Sequence, residues 1–155
     1  MLCLSGILAG PAAVVLPTAL TAQQVSDCEG GIARADNLME PWEETSRTFS
    51  GGRTRIAVLD RIEPALGAFH LMILSPPFDA LGARQCRVVS YRATMGFARL
   101  RFEDLQSTYD PLKGLGLRLP VESFDAQGDA PVAGQLQVIV NQATGEISAT
   151  LEASQ

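Results

Sequence analysis

From Thr45 onward, hydrophobic residues recur at every second position over short runs, the period of a half-buried β-strand. Leu115, Leu117, Leu119 and Val121 share one face, and Leu136, Val138 and Val140 share another. Ile147, Ala149 and Leu151 alternate with Glu146, Ser148, Thr150 and Glu152. Phe97 to Glu103 places Ala98, Leu100 and Phe102 opposite Arg99, Arg101 and Glu103, and Arg53 to Asp60 sets Ile56 beside Val58. Gln85 to Tyr91 carries Cys86 and Val88 on one face, Val89 and Tyr91 on the other. Gly67 to Leu74 differs: Phe69, Leu71 and Ile73 oppose Ala68, His70, Met72 and Leu74, so both faces are apolar. Such a strand belongs at the centre of a sheet covered on both sides.

The breaks between runs have their own chemistry. Ser75-Pro76-Pro77 is expected to stop a strand, because proline donates nothing to a ladder. The stretch Gln142-Ala143-Thr144-Gly145 reads as a hairpin turn with Gly145 at positive φ. Asp104 to Asp110 reads as one helical turn before Pro111. In residues 23–44, Ile32, Ala35, Leu38 and Met39 have helical spacing, but Gly30-Gly31 and Pro41 limit any helix to about two turns.

These runs predict about seven strands, or eight with Thr45 to Phe49. Most connections are too short for a helical crossover, so the sheets should be antiparallel. The expected fold is all-β, mainly antiparallel: a β-sandwich with a short irregular or helical N-terminal segment. A closed barrel is the alternative. Uneven strand lengths and proline breaks favour the sandwich, whose two inner faces bury the apolar stripes.

Residues 1–22 contain no charged residue. An apolar core (Leu2 to Leu8, Ala12 to Leu16) is followed by Pro17 and small residues through Ala22, the order of a secretory signal. The expected organisation is a signal peptide over 1–22, cut after Ala22, and a single β domain over 23–155. Leu20 is larger than the usual residue three before a cut, and no Lys or Arg precedes the apolar run. An uncleaved anchor is the competing reading, but two Gly and two Pro make a poor spanning helix.

Export changes how the cysteines are read. Cutting after Ala22 removes Cys3 and leaves Cys28 and Cys86, an even pair in an oxidising compartment. A disulfide between them would close a loop of about sixty residues and tie the N-terminal segment to the strand around Cys86. The pair lacks metal-site or redox spacing.

The net charge of −5, with 17 acidic and 12 basic residues, opposes nucleic-acid binding and docking on anionic lipid. No stable membrane insertion is expected once the signal is removed. Glycine-rich phosphate loops, H-E-x-x-H and G-x-S-x-G are absent from the sequence, so no cofactor or metal is expected. His70, the single histidine, is the one candidate general base, and no serine is placed near it by the sequence alone.

Glu40-Pro41, Glu63-Pro64 and Asp110-Pro111 most simply mark turns, since proline holds the preceding residue extended. A functional alternative clusters Glu40, Glu63 and Asp110 at one end of the sandwich. Asp125 and Asp129 flank Gly128 without calcium-loop spacing. Trp42, Tyr91 and Tyr109 are candidates to line a carbohydrate or peptide site. Ser75-Pro76-Pro77-Phe78-Asp79 is either a sheet corner or a rigid docking tip.

The resulting expectation is an exported, non-catalytic binding module, periplasmic or secreted, for an unidentified envelope protein. The alternatives are a lipocalin-like binder of a small ligand, or a hydrolase-type enzyme using His70. The weak ligand-binding candidates are His70, Glu63, Asp110 and Trp42.

Overall fold

The computed structural model describes residues 20–63, 67–124 and 130–153. The apolar core of the proposed signal and the Asp125–Asp129 loop lie outside these residues.

Eleven strands among the described residues form two antiparallel sheets packed as a sandwich. One sheet contains β2 (Gln24–Asp27), β6 (Arg84–Ser90), β5 (Phe69–Phe78), β4 (Thr54–Asp60) and β3 (Ser46–Phe49), in that spatial order. The other contains β1 (Leu20–Ala22), β11 (Ile147–Ala153), β10 (Val132–Val140) and β9 (Gly114–Ser123). On its far side, β9 pairs with both β7 (Arg99–Leu100) and β8 (Gln106–Asp110).

The barrel alternative is corrected, because the sheets do not close on each other. The reason is visible at Gln23, where the chain leaves one sheet for the other. Its N–H still donates to Ala149 O at 2.9 Å, but Gln24 already lies opposite Ser90 of β6. The described chain thus starts with an extended stretch split between the sheets: Leu20–Ala22, at the end of the expected signal, pairs with β11, and Gln24–Asp27 pairs with β6.

The alternation in the sequence sets the core. Ile56 and Val58 of β4, Leu71 and Ile73 of β5, and Val89 of β6 face Leu115, Leu117, Leu119 and Val121 of β9 and Leu136, Val138 and Val140 of β10. All are buried. Burial of this apolar face is the main favourable term in holding the two sheets together.

Three local expectations are revised. First, the prolines after Ser75 do not end β5. They occupy a register shift between Ser75 and Phe78, where a bulge accommodates residues that cannot donate to the ladder. Second, the run from Phe97 yields only Arg99–Leu100 as strand. Pro120 of β9 lies where this ladder would continue and has no N–H to offer. Arg101 N–H still reaches Pro120 O, and a 3₁₀ turn over Phe102–Asp104 then drops Phe102 and Leu105 into the core. The chain re-enters the ladder as β8, so Gln106–Asp110 is strand where a helical turn was expected. Third, the helical spacing at 32–39 forms no α-helix. The single α-helical turn among the described residues, α1 (Trp42–Thr45), begins directly after Pro41, whose carbonyl accepts from Glu44 and Thr45 N–H. Proline is well placed just before a helix because no intrahelical donor is lost there.

The disulfide joins Cys28 and Cys86, with Cα atoms 5.5 Å apart. The disulfide is consistent with an exported protein. Among the described residues, no helix is long and apolar enough to cross a membrane.

Replacing Cys86 by serine should lower stability by up to about 4 kcal/mol, the chain-entropy value for a loop of this length. Urea unfolding of wild type and Cys86→Ser, followed through tryptophan emission, measures the difference. Unchanged midpoints would show that the bridge does not restrain the unfolded chain.

Candidate binding site

The second apolar face of β5 decides where the site forms. His70, Met72 and Leu74 point away from the inter-sheet core, beside Ala57 and Leu59 of β4 and Val88 of β6. Left bare, this face would be a large exposed apolar patch. Residues 28–45 cover it. Ile32 is buried against Leu59 and Val88, with Cys28, Ala33, Leu38 and Met72 packed around them.

This flap is fixed at both ends. Cys28 is bonded to Cys86 next to the β2–β6 ladder, where Asp27 lies opposite Arg87. At the other end, Leu38 bridges Leu59 and Met39 N–H donates to Val58 O at 3.1 Å. Asn37 Nδ2 donates to Ile32 O at 2.9 Å and closes the bend between them. The Thr45 hydroxyl donates to Met39 O and, at 3.0 Å, to Pro41 O, so α1 is held against the turn before it.

The cover is incomplete over Ala57. This side chain is the smallest in the centre of the face and leaves a hollow of about 230 Å³. Leu38, Met39, Trp42 and Thr45 of the flap form one wall; Ala57, Met72 and Leu74 form the floor; Ser46 and Arg55 stand at the β3–β4 side. Trp42 is 58% exposed, an unusual position for a residue that gains so much from burial. A shallow depression continues across Trp42 over Glu40, Pro41 and Glu43.

Both hydroxyls in the hollow's lining are already committed. The Thr45 hydroxyl is committed to Met39 and Pro41, and Ser46 Oγ donates to Trp42 O at 2.8 Å. The hollow can therefore receive an apolar group, with Arg55 as the charged residue in its lining.

His70 lies on the same face but outside the hollow. It is fully buried, and its Nδ1 is 2.8 Å from Ser90 Oγ. Burial, with a smaller contribution from the Arg61 charge, pushes its pKa down to about 4, so it is neutral near pH 7. Its Nε2 has no hydrogen-bond partner among the described residues. Gly96 runs directly over the ring: a Cβ there would lie 2.9 Å from Nε2 and 2.3 Å from Phe69 O, so only glycine fits. A serine does accompany His70, and both side chains are fully buried.

The other sequence candidates are dispersed. Asp110 begins the β8–β9 turn, where it accepts hydrogen bonds from Leu112 and Lys113 N–H, which hold its carboxyl below the usual range. That turn adjoins Val140 and Asn141 at one end of the sandwich. Glu63 follows Asp60 of β4 at the opposite end. Glu40 belongs to the flap. The suggested cluster of Glu40, Glu63 and Asp110 therefore does not form, and no group of three potential metal ligands occurs among the described residues. Tyr91 packs against the core and Phe97, whereas Tyr109 is exposed on β8.

The Ser75–Asp79 segment is not a corner between sheets: it carries the β5 bulge into the β5–β6 hairpin, within one sheet. Gln85 Nε2 donates to Ser75 Oγ, Pro76 O and Gly145 O, tying the β5 bulge to the β10–β11 turn. Phe78 is stacked under the Arg53 guanidinium.

Of the site residues, sequence reasoning singled out only Trp42 and, beside it, Glu40. Met72 and Leu74 were read as apolar on the second face of β5, which signals a cover without locating a hollow in it. Ala57 and Arg55 carried no sequence signal of their own. No protein-family model, curated protein or solved structure matches the chain.

The buried His70 should make stability depend on pH. Its folded pKa, about 4, lies below the unfolded value of about 6.5. Between these values the unfolded chain binds the extra proton, so the stability is complete above pH 6.5 and falls as pH drops toward 4. The full loss is up to about 3 kcal/mol, with a slope of at most about 1.4 kcal/mol per pH unit. Urea midpoints between about pH 5 and 6.5, above most carboxylate titration, should fall with acid in wild type and stay flatter in His70→Gln. Equal slopes would remove His70 as the cause.

Proposed function

We propose that the chain is an exported, non-catalytic binding module of the periplasm or extracellular space, holding an apolar anchor of an envelope protein in the hollow beside Trp42. The carrying observation is the hollow itself: an apolar floor of Ala57, Met72 and Leu74, walled by a half-exposed tryptophan on a stapled flap. Tryptophan and arginine at the edge of an apolar pocket are the residue types that concentrate binding energy in protein interfaces.

Size favours a protein anchor over a free small ligand. The space between the sheets is filled by side chains, so a lipocalin-like central cavity has no support there. A hollow of about 230 Å³ is smaller than the roughly 300–1,000 Å³ typical of small-molecule sites. It suits one side chain presented by a larger partner, with the shallow surface over Glu40, Pro41 and Glu43 supporting the flanking contacts. The His70 reading gains a neighbouring serine, but both side chains are fully buried.

A photo-crosslinking residue at position 42 of the exported protein should give a discrete adduct. The same residue at position 109, exposed on β8 of the other sheet, should not. Ala57→Leu, which fills the hollow from its floor, should abolish the adduct while leaving the far-ultraviolet circular dichroism unchanged. Identical products from positions 42 and 109, or an adduct that survives Ala57→Leu, would refute the assignment.

A further inference from the structure

We infer that the anchor is the carboxy-terminal residue of the partner chain, its apolar side chain in the hollow and its carboxylate on Arg55. This inference rests on the pocket reading above and adds the chemistry of its occupant.

Arg55 is the reason. It lines the hollow from β4, lying opposite Leu74 of β5 and Thr48 of β3. Its guanidinium makes no ion pair, hydrogen bond or ring contact among the described residues. Most of the other arginines are engaged. Arg34, Arg87 and Arg101 form ion pairs with Asp36, Asp27 and Asp104. Arg47, Arg53 and Arg92 lie over aromatic rings, and Arg84 donates to Gly52 O. A guanidinium offers planar paired donors that match a carboxylate, and the resulting hydrogen bonds are stronger than neutral ones. With Thr45 and Ser46 already donating to the chain's own carbonyls, Arg55 is the charged donor in the hollow's lining left for a ligand, beside the neutral indole N–H of Trp42.

The two sides of Trp42 differ in sign. Arg55 lies on the hollow side, and Glu40 and Glu43 border the depression on the other. A chain that ends in the hollow and leaves across Trp42 passes from the cation to the two carboxylates. The matching sequence ends in a large apolar residue, preceded by Lys or Arg. An internal apolar residue would place an uncharged peptide group beside Arg55 and forgo the ion pair. A fatty acid would offer the carboxylate but nothing to meet Glu40 and Glu43, and a long alkyl chain exceeds the hollow.

The test is a titration of Trp42, the chain's single tryptophan and hence a site-specific fluorophore. The probe is a hexapeptide pool with Lys at the second and third positions before a terminal Leu, the remaining positions randomised. It is compared as free acid, as carboxy-terminal amide, and with two glycines added after the Leu. Sodium octanoate serves as a free amphipathic carboxylate.

The free acid should shift the emission and bind at least about tenfold tighter than the amide or the extended pool, as loss of a charge-assisted pair implies. Arg55→Gln should reduce the acid to the affinity of the amide, and Arg55→Lys should restore part of the difference. Equal binding of acid and amide by wild type would overturn the carboxy-terminal assignment while leaving the apolar pocket intact. Binding of octanoate without any peptide response would overturn it in favour of a small carboxylate. No response to any probe would overturn it together with the pocket reading.

Discussion

One strand with two apolar faces constrains the whole molecule. The inner face of β5 is satisfied by the opposite sheet, as in any sandwich. Its outer face, carrying His70, Met72 and Leu74, has no second sheet to meet. The chain before Thr45 is the material that closes it, and much of the N-terminal region follows from that requirement. Ile32 and Leu38 supply the apolar contacts, and Asn37 closes the bend between them. The disulfide keeps a segment with little regular secondary structure from leaving the sheet.

A cover made of turns cannot match the sheet beneath it as closely as another sheet could. The misfit gathers over Ala57, and there the protein presents a pocket. Around Ile32 and Leu59 the same cover is tight. The flap thus has a sealed half next to the disulfide and an open half next to α1. In the open half, Trp42 and Arg55 stand with their most valuable interactions unmade among the described residues: apolar burial for one and a counter-ion for the other. At the far end of β5 the seal is made by Gly96 lying across His70. The buried His70–Ser90 pair makes this seal sensitive to acid.

The architecture was legible because period-two alternation is a direct record of which residues face the core. Leu115 to Val121 and Leu136 to Val140 could hardly be placed otherwise. The two-sided pattern of Gly67 to Leu74 also recorded a cover on the outer face, and cysteine parity identified the staple. Errors arose where one residue overrides its neighbours. Pro120 on β9 cut short a strand that alternated well from Phe97, and it did so from across a ladder that local sequence does not reveal. Pro41, read as a stop, was a start. The candidate site was less legible for the same reason. Ala57 matters by being small beneath a flap, and Arg55 by lacking a partner; both are properties of the assembled fold. Trp42 was visible as a residue but not as an exposed one. Ser90 came to His70 through the hairpin register that places Leu74 opposite Cys86, which requires knowing how β5 and β6 pair.

Hydrogen exchange before and after reduction of Cys28–Cys86 tests the central claim most directly: the outer face of β5 is closed by a stapled flap that builds the pocket. Reduction should raise exchange at flap amides, including Met39, whose N–H is bonded to Val58 O, and should shift Trp42 emission toward that of a fully solvated indole. The β9–β10 ladder around Leu117, Leu119, Leu136 and Val138 should keep its protection. Loss of protection across both sheets alike, or a flap unaffected by reduction, would contradict the account.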